Sequence, residues 1–227
     1  MGIKLVALDV DGTIAEPSKP VKKDIAEKLQ NLEGLGVKIV LASGKNTSYL
    51  SGLARGMGIK NPLLVGENGC VIFDPVEMRE IKLAERPVEI STIESEVVNR
   101  FANSIWLQPT QVELTLFPKV KKALPKLISR VREIVKPFSE KVVMVEHEDA
   151  IDVLPSGIDK GKALAKINRL YGIERENVVV VGDSNSDIPM FREAMSFLIV
   201  GNKIGYCEGA KRFSTIKEAL DFVEGLM

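Results

Sequence analysis

The feature that most constrains this chain is a set of short, uninterrupted apolar runs separated by helix-like stretches. The runs cover residues 4–8, 37–41, 63–65, 178–181 and 197–200. A strand with one face in water alternates apolar and polar residues, whereas continuous apolar character is typical of a strand buried on both faces. Such strands occur in parallel sheets that helices cover on both sides. The runs therefore predict an α/β chain with a Rossmann-like, doubly wound parallel sheet.

The middle of the chain breaks this pattern. Residues 112–116 alternate apolar and polar side chains, which predicts a strand with one solvated face, and residues 120–135 have the spacing of an amphipathic helix. We interpret this segment as a smaller α+β domain inserted into the core. The predicted core comprises residues 1–80 and 155–227, and the predicted inserted domain comprises residues 81–154.

Composition limits the classes of partner. The 227 residues carry 31 basic and 31 acidic side chains, so no excess charge would recruit nucleic acid or an anionic membrane. The first apolar run is too short for a signal peptide or a membrane span. Cys70 and Cys207 have no metal-binding spacing, and the single histidine, His147, is expected in a solvent-exposed turn. We expect a cytoplasmic protein without nucleic-acid or membrane partners.

Two acids, Asp9 and Asp11, directly follow the first apolar run. Ligands of open α/β sheets bind at the carboxyl ends of the strands, where this pair lies. Burying two carboxylates costs several kcal/mol unless a cation or a proton compensates. The alternatives are a solvated Asp-Gly turn and a calcium loop. The calcium loop is excluded because Ile14 stands where it needs glycine and Pro20 where it needs glutamate.

A second acidic pair, Asp183 and Asp187, follows the run at residues 178–181. The alternative here is an ordinary helix N-cap, but one cap requires one acid and this segment supplies two. Together with Asp9 and Asp11, the pair places four carboxylates at one edge of the predicted sheet. Carboxylate oxygens are the ligands that Mg²⁺ prefers, so the sequence predicts a magnesium site.

Two further positions suit a phosphate group. Ser43, followed by Gly44, comes after the second run, where a hydroxyl and backbone N–H groups can hold phosphate oxygens, although a serine there is also an ordinary N-cap. Lys160 opens a helix-like stretch and could pair with phosphate or lie in solvent. A Walker-type loop is excluded because Ser156 replaces its first glycine and Ala163 replaces its Ser/Thr.

These elements together resemble the haloacid dehalogenase superfamily of phosphohydrolases. Residues 9–13, Asp-Val-Asp-Gly-Thr, are similar to the first motif of that family, Ser43 to the second, Lys160 to the third, and Asp183 with Asp187 to the fourth. The insertion is similar in place and size to the type II cap of the Cof-like branch. Within that branch the chain most resembles the archaeal phosphoglycolate phosphatases. It departs from the commonest pattern at Lys45, where arginine is frequent, and at Ser186, where asparagine is frequent.

The chemistry that this resemblance implies also follows from the residues. Asp9 would attack a phosphate monoester to give an aspartyl-phosphate, and Asp11 would act as the general acid and base. Mg²⁺ would be held by Asp9, the backbone carbonyl of Asp11, Asp183 and Asp187, as the residue types allow. The expected substrate-binding residues are Ser43, Gly44, Lys160 and, by resemblance to a pocket-lining loop, Asn202.

The substrate is expected to be a small phosphomonoester, with 2-phosphoglycolate as the leading candidate by resemblance. A sugar phosphatase or phosphomutase of the same branch is the alternative, and a receiver-type signalling domain is a more distant one. We expect a monomer or a homodimer. The tripeptide at residues 67–69, Glu-Asn-Gly, is interpreted as a hairpin turn rather than a family turn at the site.

Overall fold

The computed structural model describes residues 2–17 and 19–227, which form strands, α-helices and short 3-10 turns. The strands are β1 (Leu5–Asp9), β2 (Lys38–Ala42), β3 (Leu63–Gly66), β4 (Val71–Asp74), β5 (Arg79–Lys82), β6 (Ile105–Leu107), β7 (Leu114–Pro118), β8 (Val142–Glu146), β9 (Ile151–Pro155), β10 (Val178–Gly182), β11 (Ser196–Val200) and β12 (Lys211–Phe213). The helices are α1 (Lys23–Gly34), α2 (Thr47–Gly56), α3 (Val88–Phe101), α4 (Leu124–Val135), α5 (Lys160–Tyr171), α6 (Ile188–Phe191) and α7 (Ile216–Glu224).

The described residues divide into two compact units. One is built from both ends of the chain, up to Ile81 and from Asp159 onward, and the other is Lys82–Ile158. The larger unit contains an eight-stranded sheet in the order β12-β11-β10-β1-β2-β3-β4-β5. Neighbours from β12 to β3 are parallel, and β4 runs antiparallel to β3. This mixed, largely parallel sheet confirms the predicted α/β class.

The burial of the strands agrees with their positions in the sheet. All five residues of β1 and all five of β10 are buried, so both strands lie in the centre of the sheet, where helices cover both faces. Helix α1 buries Ile25, Leu29 and Leu32 along one stripe against this sheet, as their spacing predicts.

The smaller unit has its own sheet and its own apolar core. Its four antiparallel strands have the order β6-β7-β9-β8. Helices α3 and α4 supply apolar side chains such as Ile93, Val97 and Val131, which pack with Leu114 and Val153 of the strands. An antiparallel sheet with two helices is the α+β arrangement expected for the inserted segment. None of the helices in the described residues is both long and apolar enough to cross a membrane.

Three sequence expectations need correction in detail. The polar residues of the alternating stretch do not face water, because Glu113 and Thr115 are both buried and the Thr115 hydroxyl donates to Glu113 Oε1 at 3.0 Å. His147 is not fully solvated: it is half-buried, and its Nε2 lies 2.8 Å from Asp152 Oδ2. The helix expected at residues 120–135 becomes regular at Leu124, after a 3-10 turn.

Candidate active site

The residues expected at the site lie where parallel strands end at the same edge of the sheet. Asp9 is the last residue of β1, Ser43 follows β2, and Asp183 follows β10. Strand β1 lies between β2 and β10. The chain therefore proceeds to one side of β1 first and returns to its other side later, which makes this edge the topological switch point where open α/β sheets bind ligands.

Three carboxylates form a buried group at this edge. Asp9, Asp183 and Asp187 each offer an oxygen, and the three oxygens lie within 4.8 Å of one another. All three residues are buried. Asp11, the fourth acid of the predicted set, is half-buried and its side chain does not belong to this group. Its metal contact was expected through the backbone carbonyl and stays a prediction.

Lys160 binds two of the three acids from the first turn of α5. Its Nζ lies 2.6 Å from Asp9 Oδ1 and 2.7 Å from Asp187 Oδ1, and only 3% of its side chain is exposed. The alternative of a solvated lysine is therefore wrong. Burial opposes its charged form, but the carboxylates of Asp187 and Asp9 outweigh burial and raise the pKa of Lys160 above its ordinary value.

The two oxygens of Asp9 differ in their surroundings. Oδ1 accepts from Lys160, whereas Oδ2 is buried and has no hydrogen-bond partner in the described part of the chain. Burial and the negative charge of Asp187 raise the pKa of Asp9 to about 7, although Lys160 opposes this shift. An unsatisfied buried carboxylate oxygen is costly, which indicates that a cation, a proton or a reacting group completes its environment.

The two acids in the loop after β10 have different hydrogen-bond and ion-pair partners. Asp187 Oδ2 accepts from the backbone N–H groups of Asp183 and Ser184 at 3.1 and 3.0 Å, so Asp187 takes part in capping the short turn. Asp183 does not cap. Its oxygens face the Thr13 hydroxyl at 3.4 Å and the Lys203 ammonium at 3.0 Å. Burial raises the pKa of Asp183, and Lys203 counteracts that effect.

The close approach of the loops requires glycine at two positions. Gly12 has φ +98°, and a Cβ there would lie 2.2 Å from Asp183 Oδ2. A Cβ on Gly182 would lie 2.5 Å from that of Asp187. Because any side chain at either position would displace a carboxylate, the Asp-Gly and Gly-Asp pairs are part of the site geometry.

Ser43 is buried and does not cap a helix. Its Oγ accepts from the backbone N–H of Lys45 at 3.1 Å, whereas the N-cap of α2 is Asn46, which accepts from Tyr49 N at 2.8 Å. The N-cap alternative for Ser43 is therefore wrong. Gly44 next to it is half-buried.

The other expected residues lie on two loops. Asn202 is exposed in the loop after β11. Residues 67–69 form the turn between the antiparallel strands β3 and β4, with Asn68 in the left-handed region, as the hairpin interpretation expects. The turn also adjoins the site, as its alternative interpretation expects, because the Asn68 backbone N–H donates to the Ser43 carbonyl at 3.1 Å. The substrate contacts assigned to Ser43, Gly44, Lys160 and Asn202 remain predictions.

Sequence reasoning missed two groups at this site. Thr13 was noted only as part of a motif, yet its hydroxyl contacts Asp183. Lys203 was not considered at all. Its signal was present, because Lys203 follows the carboxyl end of β11, which is the neighbour of β10 in a parallel sheet. A basic residue at that edge lies within reach of the acids that follow β10.

The donor set fits a divalent cation that prefers oxygen ligands. Asp9, Asp183 and Asp187 are close enough to share one ion, and Asp9 Oδ2 is a buried acceptor that such an ion would satisfy. A carboxylate has two oxygens, so one oxygen of Asp9 can bind the ion while the other is available to attack an electrophile. The arrangement can therefore combine cation binding with nucleophilic attack by a carboxylate.

Comparisons with known proteins give the family of the chain. The family model described as sucrose-6F-phosphate phosphohydrolase matches residues 3–207. A phosphoglycolate phosphatase from Metallosphaera sedula is 30% identical over 210 residues, which cover 88% of this chain and 86% of the relative. A phosphoglycolate phosphatase from Sulfolobus acidocaldarius is 29% identical over 205 residues, covering 88% and 84% of the two chains.

Solved structures of related hydrolases share the fold of this chain. A haloacid dehalogenase-like hydrolase from Bacteroides thetaiotaomicron superposes with a TM-score of 0.81 at 18% identity, covering 99% of this chain and all of the other. At that identity the likeness shows the fold, while the family model and the relatives carry the activity class. The chain therefore belongs to the sucrose-6F-phosphate phosphohydrolase family of the haloacid dehalogenase superfamily, and it is a phosphatase.

Proposed function

We propose that this phosphatase is an Mg²⁺-dependent phosphomonoesterase that acts through an aspartyl-phosphate on Asp9, with 2-phosphoglycolate as its leading substrate. The observation that carries the proposal is the pair of environments of Asp9: Lys160 fixes Oδ1 at 2.6 Å, and Oδ2 lies buried without a hydrogen-bond partner among the described residues. A carboxylate held in this way presents one oxygen for reaction.

Asp9, Asp183 and Asp187, with the backbone carbonyl of Asp11, would hold the cation. When bound, Mg²⁺ would offset the repulsion between a carboxylate nucleophile and a phosphate dianion. The three side chains already lie together, and two of them are fixed by Lys160. Asp187 is fixed further by the backbone N–H groups that its second oxygen accepts.

The chain's own residues account for both halves of the reaction. In the first half, one carboxylate oxygen of Asp9 forms a bond to phosphorus while the bond from phosphorus to the ester oxygen breaks, and Asp11 gives its proton to the departing alkoxide. In the second half, Asp11 takes a proton from water, which attacks phosphorus and releases phosphate and free Asp9. Asp11 suits this role because it is half-buried and outside the three-acid group.

Phosphate oxygens would be held by groups that also end at this edge. The Ser43 hydroxyl and the backbone N–H of Gly44 would donate to them, and Lys160 would neutralise charge that develops in the transition state. Asn202, exposed in the loop after β11, would contact the substrate beyond its phosphate. The inserted cap, predicted at residues 81–154, would select the substrate, with the core at residues 1–80 and 155–227 performing the reaction.

The proposed substrate has support from the relatives named phosphoglycolate phosphatase. A sugar phosphate is the second candidate, because the matching family model is described by a sugar phosphate. A panel containing 2-phosphoglycolate, sugar phosphates and an aryl phosphate separates them by their kcat/KM values. A higher kcat/KM for a sugar phosphate than for 2-phosphoglycolate would overturn the proposed substrate, and phosphoryl transfer without net phosphate release would indicate a mutase.

The nucleophile is tested by Asp9→Asn. The amide keeps the shape of the side chain and removes the nucleophile, so we expect kcat to fall by about three orders of magnitude or more. Asp24→Asn, which changes an exposed acid on α1, is the matched control and should retain full activity. Phosphate release is followed with and without EDTA. Turnover above a few per cent in Asp9→Asn would contradict the assignment, and full wild-type activity in EDTA would contradict the cation.

We further infer that the protein is cytoplasmic, because Cys70 and Cys207 are both present as thiols, and that it is a monomer or a homodimer. Size-exclusion chromatography with light scattering measures the oligomeric state. A larger assembly would contradict that part of the proposal.

A further inference from the structure

Lys203 contacts the three-acid group from the loop after β11. Its Nζ lies 3.0 Å from Asp183 Oδ2. The two partners differ in exposure: 50% of the Lys203 side chain is accessible to solvent, against 4% for Asp183. A buried carboxylate is therefore neutralised by the tip of a long, half-solvated side chain. Such a contact can be broken without disturbing the core, because the ammonium can return to water.

Lys160 makes the opposite kind of contact with the same group. Its side chain is 3% exposed and its Nζ binds Asp9 and Asp187 together. Removing this ammonium from its partners would leave two buried carboxylates without compensation, which is strongly unfavourable. Of the two lysines that contact the three-acid group in the described part of the chain, only Lys203 has water available as an alternative environment.

The charges of the group agree with this difference. Three ionised carboxylates facing two ammonium groups carry one net negative charge. If Lys203 withdraws, the group carries two, which is the charge that one divalent cation neutralises. Asp183 is one of the three acids that can share such an ion, so the ion and Lys203 require the same carboxylate.

We propose that Lys203 is a built-in competitor of the divalent cation for Asp183. Binding of the cation displaces the ammonium of Lys203 from Asp183 Oδ2, and release of the cation allows it to return. The competition weakens cation affinity and keeps Asp183 neutralised whenever the cation leaves. This inference rests on the proposed function, since it concerns the same cation site.

The test is calorimetric titration of Mg²⁺ into the full chain without substrate, at low ionic strength. Lys203→Met removes the ammonium and keeps the stem, and we expect it to bind Mg²⁺ about three- to fivefold more tightly than wild type, the upper part of the range expected for losing one partly exposed competing ion pair. Lys203→Arg keeps the competing charge and should stay within about twofold. Lys217→Met, which removes an exposed charge on α7 of the same unit, is the matched control and should also stay within about twofold.

Two results would overturn the inference: an unchanged Mg²⁺ dissociation constant in Lys203→Met, or the same tightening in Lys217→Met. A lysine-selective ¹⁵N spectrum supplies a second readout that does not depend on the Met variant. The Lys203 Nζ signal, assigned by its loss in Lys203→Arg, should move when Mg²⁺ is added, and a signal that stays in place also overturns the inference. If wild type binds no Mg²⁺ at all, the proposed cation fails as well, whereas wild-type binding with unaffected variants removes the competition alone.

Discussion

Asp9 concentrates two opposing requirements in one side chain. It must be ionised to act as a nucleophile, yet burial and the neighbouring Asp187 raise its pKa to about 7. Lys160 only partly compensates, because it divides its charge between Asp9 and Asp187. The site is therefore strained electrostatically without a cation, and a divalent ion would favour the ionised form. Function here works against the stability of the uncomplexed fold.

This strain predicts a pH-dependent stability. A carboxyl group whose pKa is raised by folding, here from 3.8 to about 7, stabilises the fold fully below the lower value and loses that contribution as pH rises through the higher one. In EDTA, we expect the melting temperature of Asp9→Asn to exceed that of wild type by several degrees more at pH 8 than at pH 5. Thermal unfolding followed by circular dichroism measures this difference. A difference that stays constant between the two pH values would contradict the raised pKa.

At the residue scale, the sequence predicted which residues belong to the site better than it predicted which of them contact one another. Position in the motifs was enough to single out Asp9, Asp183, Asp187 and Lys160. It could not show that Lys160 contacts two acids, because that contact joins residues 151 and 27 positions apart. Lys203 was missed since a single lysine in a loop has no periodicity that marks it. The position of Lys203 near the acids becomes evident only when β11 is placed beside β10 in the sheet.

Among the elements, the turn after β1 has the least tolerance. We expect Gly12→Ala to destabilise the protein by about 1–3 kcal/mol and to weaken Mg²⁺ binding, because the backbone is left-handed there and the added Cβ would meet the Asp183 carboxylate. Urea unfolding and calorimetry measure the two effects.

Gly52→Ala is the opposing control. Gly52 lies exposed inside α2 with no neighbouring atom within 4 Å of an added Cβ, so alanine should stabilise the protein by about 0.5–1 kcal/mol. Equal effects of the two substitutions would contradict the close approach at Gly12.

Local sequence patterns predicted the buried parallel strands of the larger sheet well, but they did not mark β5 or β12, and in the smaller unit they misassigned the environment of one face of β7. Continuous apolar runs have few alternative interpretations, so β1, β2, β10 and β11 lie where the runs do. The alternation at residues 112–116 predicts one buried and one solvent-exposed face, whereas Glu113 and Thr115 are both buried. An alternating pattern shows only that the two faces of a strand lie in different chemical environments. The polar face can be buried among hydrogen-bonding groups as well as exposed to water.

At the scale of the whole molecule, the two units differ in how the chain builds them. The smaller unit is one continuous segment with its own core, in which Ile93, Val131 and Val153 pack together. We expect residues 82–158 to fold alone and to unfold cooperatively in urea. Residues 1–81 should not fold alone, because β1 would lose its pairing with β10. Circular dichroism of the two fragments measures this. An unfolded 82–158 fragment, or a folded 1–81 fragment, would contradict this division.

The central position of β1 between β2 and β10 also has a consequence for protein synthesis. The ribosome delivers Asp9 long before the strand that completes its surroundings, and both Lys160 and Asp183 follow it by more than 150 residues. Until then one edge of β1 lacks the strand that pairs with it, and a nascent chain in this state is exposed to aggregation. The inserted segment has time to fold in the interval. Every premature termination before β10 thus yields a chain without Asp183 and Asp187, which cannot form the three-acid group, and partial activity from truncated products is not expected.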